Sequence, residues 1–392
     1  MAKIIHILPH NIEGFMAGDY SNFDHHSSRF LAKIADFWQK QNPSLVLNQE
    51  LWTLSKKLKE PQTFQHQKGF AVKLFPISNR LPLPLETSKA LLNEVKNYQA
   101  QEPIVWHLHS YYLLMNDFLA AALAKRKQKY VMHFRGAGFS QSPKGFFYSL
   151  YHYLIGLRLA FKKASYLFIQ NQDEIKRIKR WRLAKEQQIV YFPNTVPLAN
   201  LASPSQRNQD SLKQQWKLLI AGRAEKITNS PANMKALNKI LKQNQQCLLE
   251  IAGLKTENQL LNKLKASFPK QVVLTSWLDK KTLLAKFQQA DLLLYITEKE
   301  GSPMGLIEAL SQGLPAISFD TEGVRDVVQN NFNGYLIKDI KELPDKIKEA
   351  ANQPQKLSAM RANALNHIKS HFAYELYFPK LIEMYLSLIH NS

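Results

Sequence analysis

The chain has 392 residues, of which 45% are hydrophobic and 21% charged, and its formal net charge is +21 with a sequence pI near 9.7. This length exceeds one ordinary core and predicts two domains, and the composition excludes a largely disordered chain. The charge favours an anionic partner such as phospholipid, nucleic acid or a phosphorylated acceptor. Residues 1–200 carry most of the excess, with 27 basic against 13 acidic residues.

Cysteine content and hydropathy exclude disulfide-bonded, thiolate-zinc and membrane-spanning proteins. Cys247 is the only cysteine, which excludes an internal disulfide and a zinc site built on two or more thiolates. The first residues lack the features of a signal peptide. The most apolar long window, Ile104 to Ala124, contains two histidines and an Asn116-Asp117 pair, so no membrane-spanning helix is predicted. We expect a cytoplasmic protein, with any membrane contact peripheral and at the inner face of the cell membrane.

The first half alternates short β-branched runs with segments of helical periodicity, which is typical of βαβ units around a parallel sheet. Strands are predicted at Lys3–Leu8, Ser44–Leu47, Phe70–Phe75, Ile104–Leu108, Tyr130–Phe134, Tyr166–Gln170 and Ile189–Phe192. Helices are predicted at His26–Gln41, Thr87–Gln99, Tyr112–Lys127 and Phe146–Lys163. Residues 1–200 are therefore predicted to form one doubly wound domain.

A polar segment after Pro193-Asn194 predicts an inter-domain connection, and a second alternating series follows it. Its predicted strands are Lys217–Ala221, Cys247–Ala252, Val272–Thr275, Asp291–Ile296 and Pro315–Phe319. Its predicted helices are Asn233–Lys242, Glu257–Ser267, Lys281–Gln289 and Gly305–Gln312. Residues 201–372 are predicted to form a second α/β domain, and residues 373–392 to pack back on the first.

The segment Glu300 to Glu308 reads Glu-Gly-Ser-Pro-Met-Gly-Leu-Ile-Glu and joins a predicted strand to a helix. This order forms an anion-binding geometry, because backbone N–H groups and the positive end of the helix dipole face the loop. The two carboxylates suit charge-assisted hydrogen bonds from sugar and ribose hydroxyls. Arg223 and Lys226 follow the first strand of the second domain, at the edge where α/β sheets bind ligands, and would neutralise a diphosphate.

These residues resemble the motifs of glycosyltransferase family 4, retaining enzymes of the GT-B fold. Glu300 and Glu308 match its Glu-x7-Glu motif, and Glu308–Leu310 with Gly313–Pro315 match the Glu-Ala-Leu and Gly-Leu-Pro that trail it. Further matches are Gly222-Arg223, Pro193-Asn194 and Asn333-Gly334. The resemblance covers most of the chain and implies an α/β fold of two Rossmann-like, doubly wound domains facing a cleft, with the C-terminal helix crossing back to the N-terminal domain.

The resemblance also implies roles for these residues. Glu308 would bind the ribose hydroxyls, Glu300 the hydroxyls of the transferred sugar, and Arg223 with a lysine the diphosphate. That lysine is Lys226 or, because the spacing from Arg223 is shorter than usual in the family, Lys235. The predicted donor-binding residues are Arg223, Lys226, Glu300, Gly301, Ser302, Pro303, Met304, Gly305, Leu306 and Glu308.

His133 matches the family histidine that approaches the sugar, and it joins Glu300 and Arg223 as a predicted catalytic residue. Gly14 and His109 are the predicted acceptor-side residues. Two features depart from the family pattern. The loop is Gly301-Ser302-Pro303 rather than Gly-Phe-Gly, so proline removes an amide donor, and the first strand is not followed by a double glycine.

The expected partners are a nucleotide-sugar and a saccharide or lipid-linked acceptor. No cofactor and no metal site is predicted, because Arg and Lys can stabilise the departing diphosphate electrostatically. A basic cluster with Trp181 among its residues predicts peripheral contact with an anionic membrane. Its members are Lys176, Arg177, Lys179 and Arg180.

Other interpretations stay open at this point. Two glutamates eight residues apart are usually a solvated helix face, and His133 is also compatible with a buried strand-end histidine. A GT-B-type nucleotide-sugar epimerase would bind the same donor. Nucleic-acid binding is suggested only by charge and lacks a recognisable motif, so no nucleic-acid partner is expected.

Overall fold

The computed structural model describes residues 3–13, 26–41, 47–79, 81, 85–134, 157–202, 216–221, 230–254, 257–297 and 300–390. The chain divides into two compact units. The first unit comprises Met1–Phe192 and Tyr377–Ser392, and the second comprises Pro193–Leu376. The first unit thus ends at Phe192 rather than at residue 200, and most of the polar segment expected as a connection, residues 203–215, lies outside the described residues.

The first unit is built on an eight-stranded sheet. Its strands are β1 (Lys3–Asn11), β2 (Asn48–Ser55), β3 (Gln62–Gln65), β4 (Ala71–Pro76), β5 (Ile104–His109), β6 (Tyr130–His133), β7 (Tyr166–Ile169) and β8 (Ile189–Tyr191). They lie in the order β3-β4-β2-β1-β5-β6-β7-β8. All neighbouring strands are parallel except β3 and β4, which are antiparallel. The strand order reverses between β1 and β5.

The second unit has a six-stranded, fully parallel sheet. Its strands are β9 (Trp216–Ala221), β10 (Cys247–Leu254), β11 (Val272–Ser276), β12 (Leu292–Tyr295), β13 (Ala316–Phe319) and β14 (Gly334–Ile337). Their order is β11-β10-β9-β12-β13-β14, which is the doubly wound nucleotide-binding order 3-2-1-4-5-6. The order reverses between β9 and β12.

Helices connect these strands. In the first unit they are α1 (His26–Gln41), α2 (Lys89–Asn97), α3 (Leu114–Lys125), α4 (Leu157–Lys163) and α5 (Gln172–Arg180). In the second they are α6 (Pro231–Gln243), α7 (Gln259–Ser267), α8 (Lys280–Gln289), α9 (Met304–Leu310), α10 (Val324–Val327), α11 (Leu343–Asn352) and α12 (Pro354–His371). The C-terminal helix α13 (Phe378–His390) returns to the first unit.

The return of α13 follows from its apolar face. Phe378, Leu381 and Tyr385 are buried, and the Phe378 ring lies 5.9 Å from the ring of Phe30 in α1. Burying such side chains stabilises the fold by roughly 1.5–3 kcal/mol each. The last helix therefore completes the core of the unit that contains the N-terminus.

The sequence interpretation failed near β2. Residues 44–46 of the predicted strand Ser44–Leu47 lie outside the described residues, Leu47 has no regular structure, and the strand begins at Asn48. The polar residues Asn48, Gln49 and Glu50 are not typical of a buried strand. The Glu50 carboxylate is nevertheless accommodated there, because it pairs with Lys3 Nζ at 2.6 Å and accepts a hydrogen bond from Trp52 Nε1 at 2.8 Å. The other predicted strands coincide with observed strands, whereas β3, β14, α5, α10, α11 and α12 were not predicted.

Candidate active site

The sheet order of the second unit places two chain segments side by side. Ligands of open α/β sheets bind beyond the carboxyl ends of the strands, where the strand order reverses. In this unit that point lies between β9 and β12, so the residues after each of these strands flank it. The segment after β12 contains Glu300, whose predicted role stays a prediction. Arg223 and Lys226 follow β9 and lie outside the described residues.

The loop from Gly301 to Pro303 is held against the start of the second unit. Ser302 is buried, and its Oγ accepts a hydrogen bond from the backbone N–H of Asn194 at 2.9 Å. The Asn194 side-chain amide donates in turn to the Ser302 carbonyl at 2.6 Å. Two hydrogen bonds between residues 108 positions apart fix the direction of the loop backbone. The motif residue Asn194 therefore holds the loop in place.

Gly323 supports the same loop from another side. Its φ of 75° lies in the left-handed region, and a Cβ built there would come within 2.7 Å of the carbonyl carbon of Gly301 and would also collide with the Glu300 carbonyl. Only glycine permits this approach without displacing the backbone. The Glu300–Gly301 peptide thus packs directly on the turn after β13.

Glu308 lies on α9, one turn after the loop. The helix begins at Met304, with Ile307 N–H donating to the Pro303 carbonyl at 3.0 Å. The Glu308 side chain is 14% exposed, and its carboxylate forms an ion pair with Lys280, the first residue of α8. Asp279 begins α8 by accepting from the Thr282 N–H at 2.7 Å, which positions the lysine beside it. Sequence reasoning missed Lys280, because only the packing of α8 beside α9 brings it to the glutamate.

The Gly-Leu-Pro motif ends α9. Gly313 has a φ of 67°, its N–H donates to the Leu310 carbonyl, and the Leu314 N–H donates to the Ala309 carbonyl. These two bonds define a Schellman motif with glycine in the left-handed position. Pro315 then starts the approach to β13, so the motif terminates the helix and redirects the chain.

The Asn333-Gly334 turn also has a structural role. The buried Asn333 side chain donates to the Val327 carbonyl at 3.0 Å and accepts from the Gln329 N–H at 2.8 Å. A Cβ on Gly334 would lie 2.5 Å from the Ala316 carbonyl oxygen. The pair therefore allows β14 to lie close to β13.

Residues 203–367 match the family model described as glycosyl transferases group 1. Among curated relatives, the GtfA subunit of the UDP-N-acetylglucosamine peptide N-acetylglucosaminyltransferase of Streptococcus pneumoniae is 26% identical over 206 residues, which are 50% of this chain and 40% of that protein. The UDP-Gal:alpha-D-GlcNAc-diphosphoundecaprenol alpha-1,3-galactosyltransferase of Escherichia coli is 26% identical over 144 residues, which are 35% of this chain and 36% of that protein. The chain thus spans well under two thirds of each relative.

Solved structures agree on the fold. The HepE protein of Anabaena, crystallised in complex with UDP, superimposes with a TM-score of 0.69 at 16% identity, covering 98% of this chain and 100% of that one. The fold is GT-B: two α/β units with parallel, Rossmann-like sheets, and a C-terminal helix on the first.

The two predicted histidines of the first unit lie inside its core. His109 and His133 are the last residues of β5 and β6, stand opposite each other in register, and are 0% and 1% exposed. Their ring centroids are 5.7 Å apart. His6 and His107 lie on the same sheet face, so the structure assembles four imidazoles. Gly14 lies outside the described residues, and the catalytic role of His133 stays a prediction.

The carboxyl end of β1 carries a further buried histidine. His10 contacts the Asn11 carbonyl through Nδ1 at 2.8 Å, and burial lowers the pKa of its imidazole despite that bond and the nearby Glu86. Glu86 is itself buried, where it pairs with Lys56 at 3.0 Å and accepts from the Asn11 N–H. This end of β1 therefore holds two buried polar side chains, His10 and Glu86, each with a hydrogen-bond partner.

The predicted basic cluster lies on α5. Ile178 and Glu174 face the core, while Lys176, Lys179 and Arg180 are exposed. Trp181, at the end of the helix, is 42% exposed. No helix formed by the described residues is long and apolar enough to cross a bilayer. Lys235, the alternative phosphate-binding lysine, is exposed on α6.

Proposed function

We propose that this chain is a retaining hexosyltransferase of glycosyltransferase family 4. It transfers a sugar from a nucleotide-diphosphate donor to a membrane-associated or saccharide acceptor in the synthesis of surface polysaccharide, lipopolysaccharide or glycolipid. The observation that carries this proposal is the Glu300–Glu308 segment at the strand-order reversal of a nucleotide-binding sheet, held by Asn194 and Gly323. The relatives support the donor class, since both printed names contain a UDP-sugar.

In the proposed mechanism, Glu308 accepts hydrogen bonds from the ribose hydroxyls. A carboxylate offers about four acceptor positions, so its ion pair with Lys280 is compatible with this role. Glu300 orients the sugar, and Arg223 with a lysine stabilises the diphosphate as it departs, without a metal ion. The leaving phosphate takes the proton of the acceptor hydroxyl, and His133 approaches the sugar.

The donor site is tested with Glu308→Gln, which removes the charge but keeps the shape. Hydrogen bonds to charged groups contribute about 1.5–3 kcal/mol, so we expect kcat/KM to fall about 10- to 100-fold and the donor-induced rise in melting temperature to shrink. A thermal-shift panel of UDP-, GDP- and ADP-sugars identifies the donor first.

Glu349→Gln is the matched control, because Glu349 is also a partly buried glutamate of the second unit, paired with Lys346 and Lys356. Unchanged donor binding and turnover in Glu308→Gln would refute the site. Product anomers read by NMR test retention, and incubation without acceptor separates transfer from epimerisation, which needs no second substrate. Turnover that required an added divalent ion would contradict the metal-free mechanism.

Peripheral membrane contact is the remaining part of the proposal. The exposed basic residues of α5 and Trp181 support it, as does the diphosphoundecaprenol-linked acceptor in the name of the E. coli relative. Replacing Lys176, Arg177, Lys179 and Arg180 by glutamine should weaken binding to phosphatidylglycerol vesicles, measured by sedimentation, by up to roughly 1,000-fold, since each basic residue near an anionic surface contributes about 1 kcal/mol. The control replaces four exposed lysines of the second unit, Lys338, Lys341, Lys348 and Lys369. If both variants lose vesicle binding equally, the binding depends on net charge alone and not on α5.

A further inference from the structure

Three buried histidines of the first unit converge at the strand-order reversal of its sheet. His6 lies on β1 directly opposite His107 on β5, and His109 follows on the same face of β5. All three side chains are 0% exposed. One ring nitrogen from each lies within 4.8 Å of the other two, and His6 Nδ1 is 3.1 Å from His109 Nε2. Strands β1 and β5 thus present three nitrogen donors to one point.

The neighbours of these histidines orient the rings. Gln49 donates its amide N–H to the Leu31 carbonyl at 3.4 Å, which turns its carbonyl oxygen towards His6 Nε2 at 3.2 Å. His6 Nε2 therefore carries the proton, and Nδ1 presents a lone pair to the trio. His107 Nδ1 pairs with the hydroxyl of Tyr385 on α13. Histidines that bind metals are held by such outer partners, which fix tautomer and ring direction.

We infer that His6, His107 and His109 form a binding site for one divalent transition-metal ion, with zinc as the first candidate. Neutral imidazole is a preferred donor for zinc, copper, iron and nickel. Zn–N bonds of about 2.0–2.1 Å in a tetrahedral arrangement place two ligand nitrogens roughly 3.3 Å apart, close to the separation of His6 Nδ1 and His109 Nε2. The third nitrogen lies within 4.8 Å of the other two, so binding one ion requires the rings to rotate towards each other.

The trio supplies three of the four ligands that zinc usually takes, and all three side chains are fully buried. Phe30 packs edge-on against the rings of His6, His107 and His109 at 5.7–6.1 Å, which encloses the trio in apolar side chains. An ion bound by the three nitrogens would join the two central strands, and Tyr385 would link it to the C-terminal helix. This site is independent of the proposed donor chemistry of the second unit.

Metal content of the full-length protein tests the inference. Protein produced in zinc-supplemented medium and dialysed against metal-free buffer should retain about one zinc per chain by mass spectrometry. Protein produced with cobalt should show the visible absorption of tetrahedral Co(II) with nitrogen ligands. Wild-type protein that retains far less than one equivalent, or cobalt protein without this band, would overturn the site.

Variants assign the ligands. His109→Gln should lose the ion, whereas His66→Gln should keep it, because His66 is a buried histidine of the same unit that stacks on Phe70 outside the trio. If His109→Gln does not fold, Gln49→Leu serves instead. It keeps all three ligands, and competition with a chelator should show about 10- to 100-fold weaker zinc binding. Equal zinc binding in Gln49→Leu and wild type, or equal zinc content in His109→Gln and His66→Gln, would contradict the inference.

Discussion

The Glu300–Glu308 segment and the histidine trio show two ways of assembling polar groups in one fold. The first is contiguous in sequence, sits on a loop and a short helix, and keeps its glutamates partly exposed. The second gathers residues about 100 positions apart onto one sheet face and buries them fully. Each group is positioned by strands that flank a reversal of strand order. In both cases the strand order determines where the polar groups lie. The local chain supplies the two glutamates, whereas the register between β1 and β5 brings the histidines together.

The largest expected effect concerns the backbone that holds the loop. Gly323→Ala should lower the free energy of unfolding of the second unit by more than the roughly 1–2 kcal/mol that a left-handed conformation costs other residues, because its Cβ would also displace the Glu300–Gly301 backbone. Donor binding should weaken in parallel. Urea denaturation and the donor thermal shift measure the two effects.

Gly69→Ala is the control for Gly323. Gly69 has a similar φ of 84°, but a Cβ there meets nothing within 4 Å. It should show the conformational cost alone and leave donor binding unchanged. Equal destabilisation by the two variants would show that the loop does not depend on close packing against Gly323.

A smaller effect is expected at the hydrogen bond between Ser302 and Asn194. Ser302→Ala leaves the Asn194 N–H without its acceptor and should destabilise the second unit by about 1–3 kcal/mol. Ser276→Ala, an exposed serine at the end of β11, should stay within about 0.5 kcal/mol of wild type. If Ser302→Ala is as stable as Ser276→Ala, the loop is held by other contacts.

The smallest expected effect is on the pH dependence of the free energy of unfolding. It involves one buried histidine from each unit. Burial lowers the pKa of His10 in the first unit and of His367 in the second. Because each imidazole binds a proton more readily in the unfolded chain, the stability it contributes is present above the ordinary histidine pKa of about 6.5 and is lost as pH falls below it. A His10→Gln, His367→Gln double variant should show a shallower loss of stability between neutral and mildly acidic pH. A slope equal to that of wild type would contradict the assignment to these two residues.

Much of the fold followed from local patterns. Apolar runs predicted most strands, and the two-domain α/β series with a returning helix is observed, because buried parallel strands are nearly continuous hydrophobic segments. Strand β2 was not predicted because the charge of Glu50 is neutralised by Lys3, which lies too far away in the sequence for a local pattern to include both residues. The Glu300–Glu308 segment was recognisable because all its residues are consecutive in the sequence, between a strand and a helix.

The sequence by itself therefore determined the alternation of elements, the motif and its two glutamates. Only the tertiary structure decided that Asn194 and Gly323 hold the loop, that Lys280 pairs with Glu308, and that His6 meets His109. The physical reason is that strand order and register arise from packing over the whole sheet. Contacts between distant positions depend on that packing, whereas periodicity and turn chemistry act over a few residues.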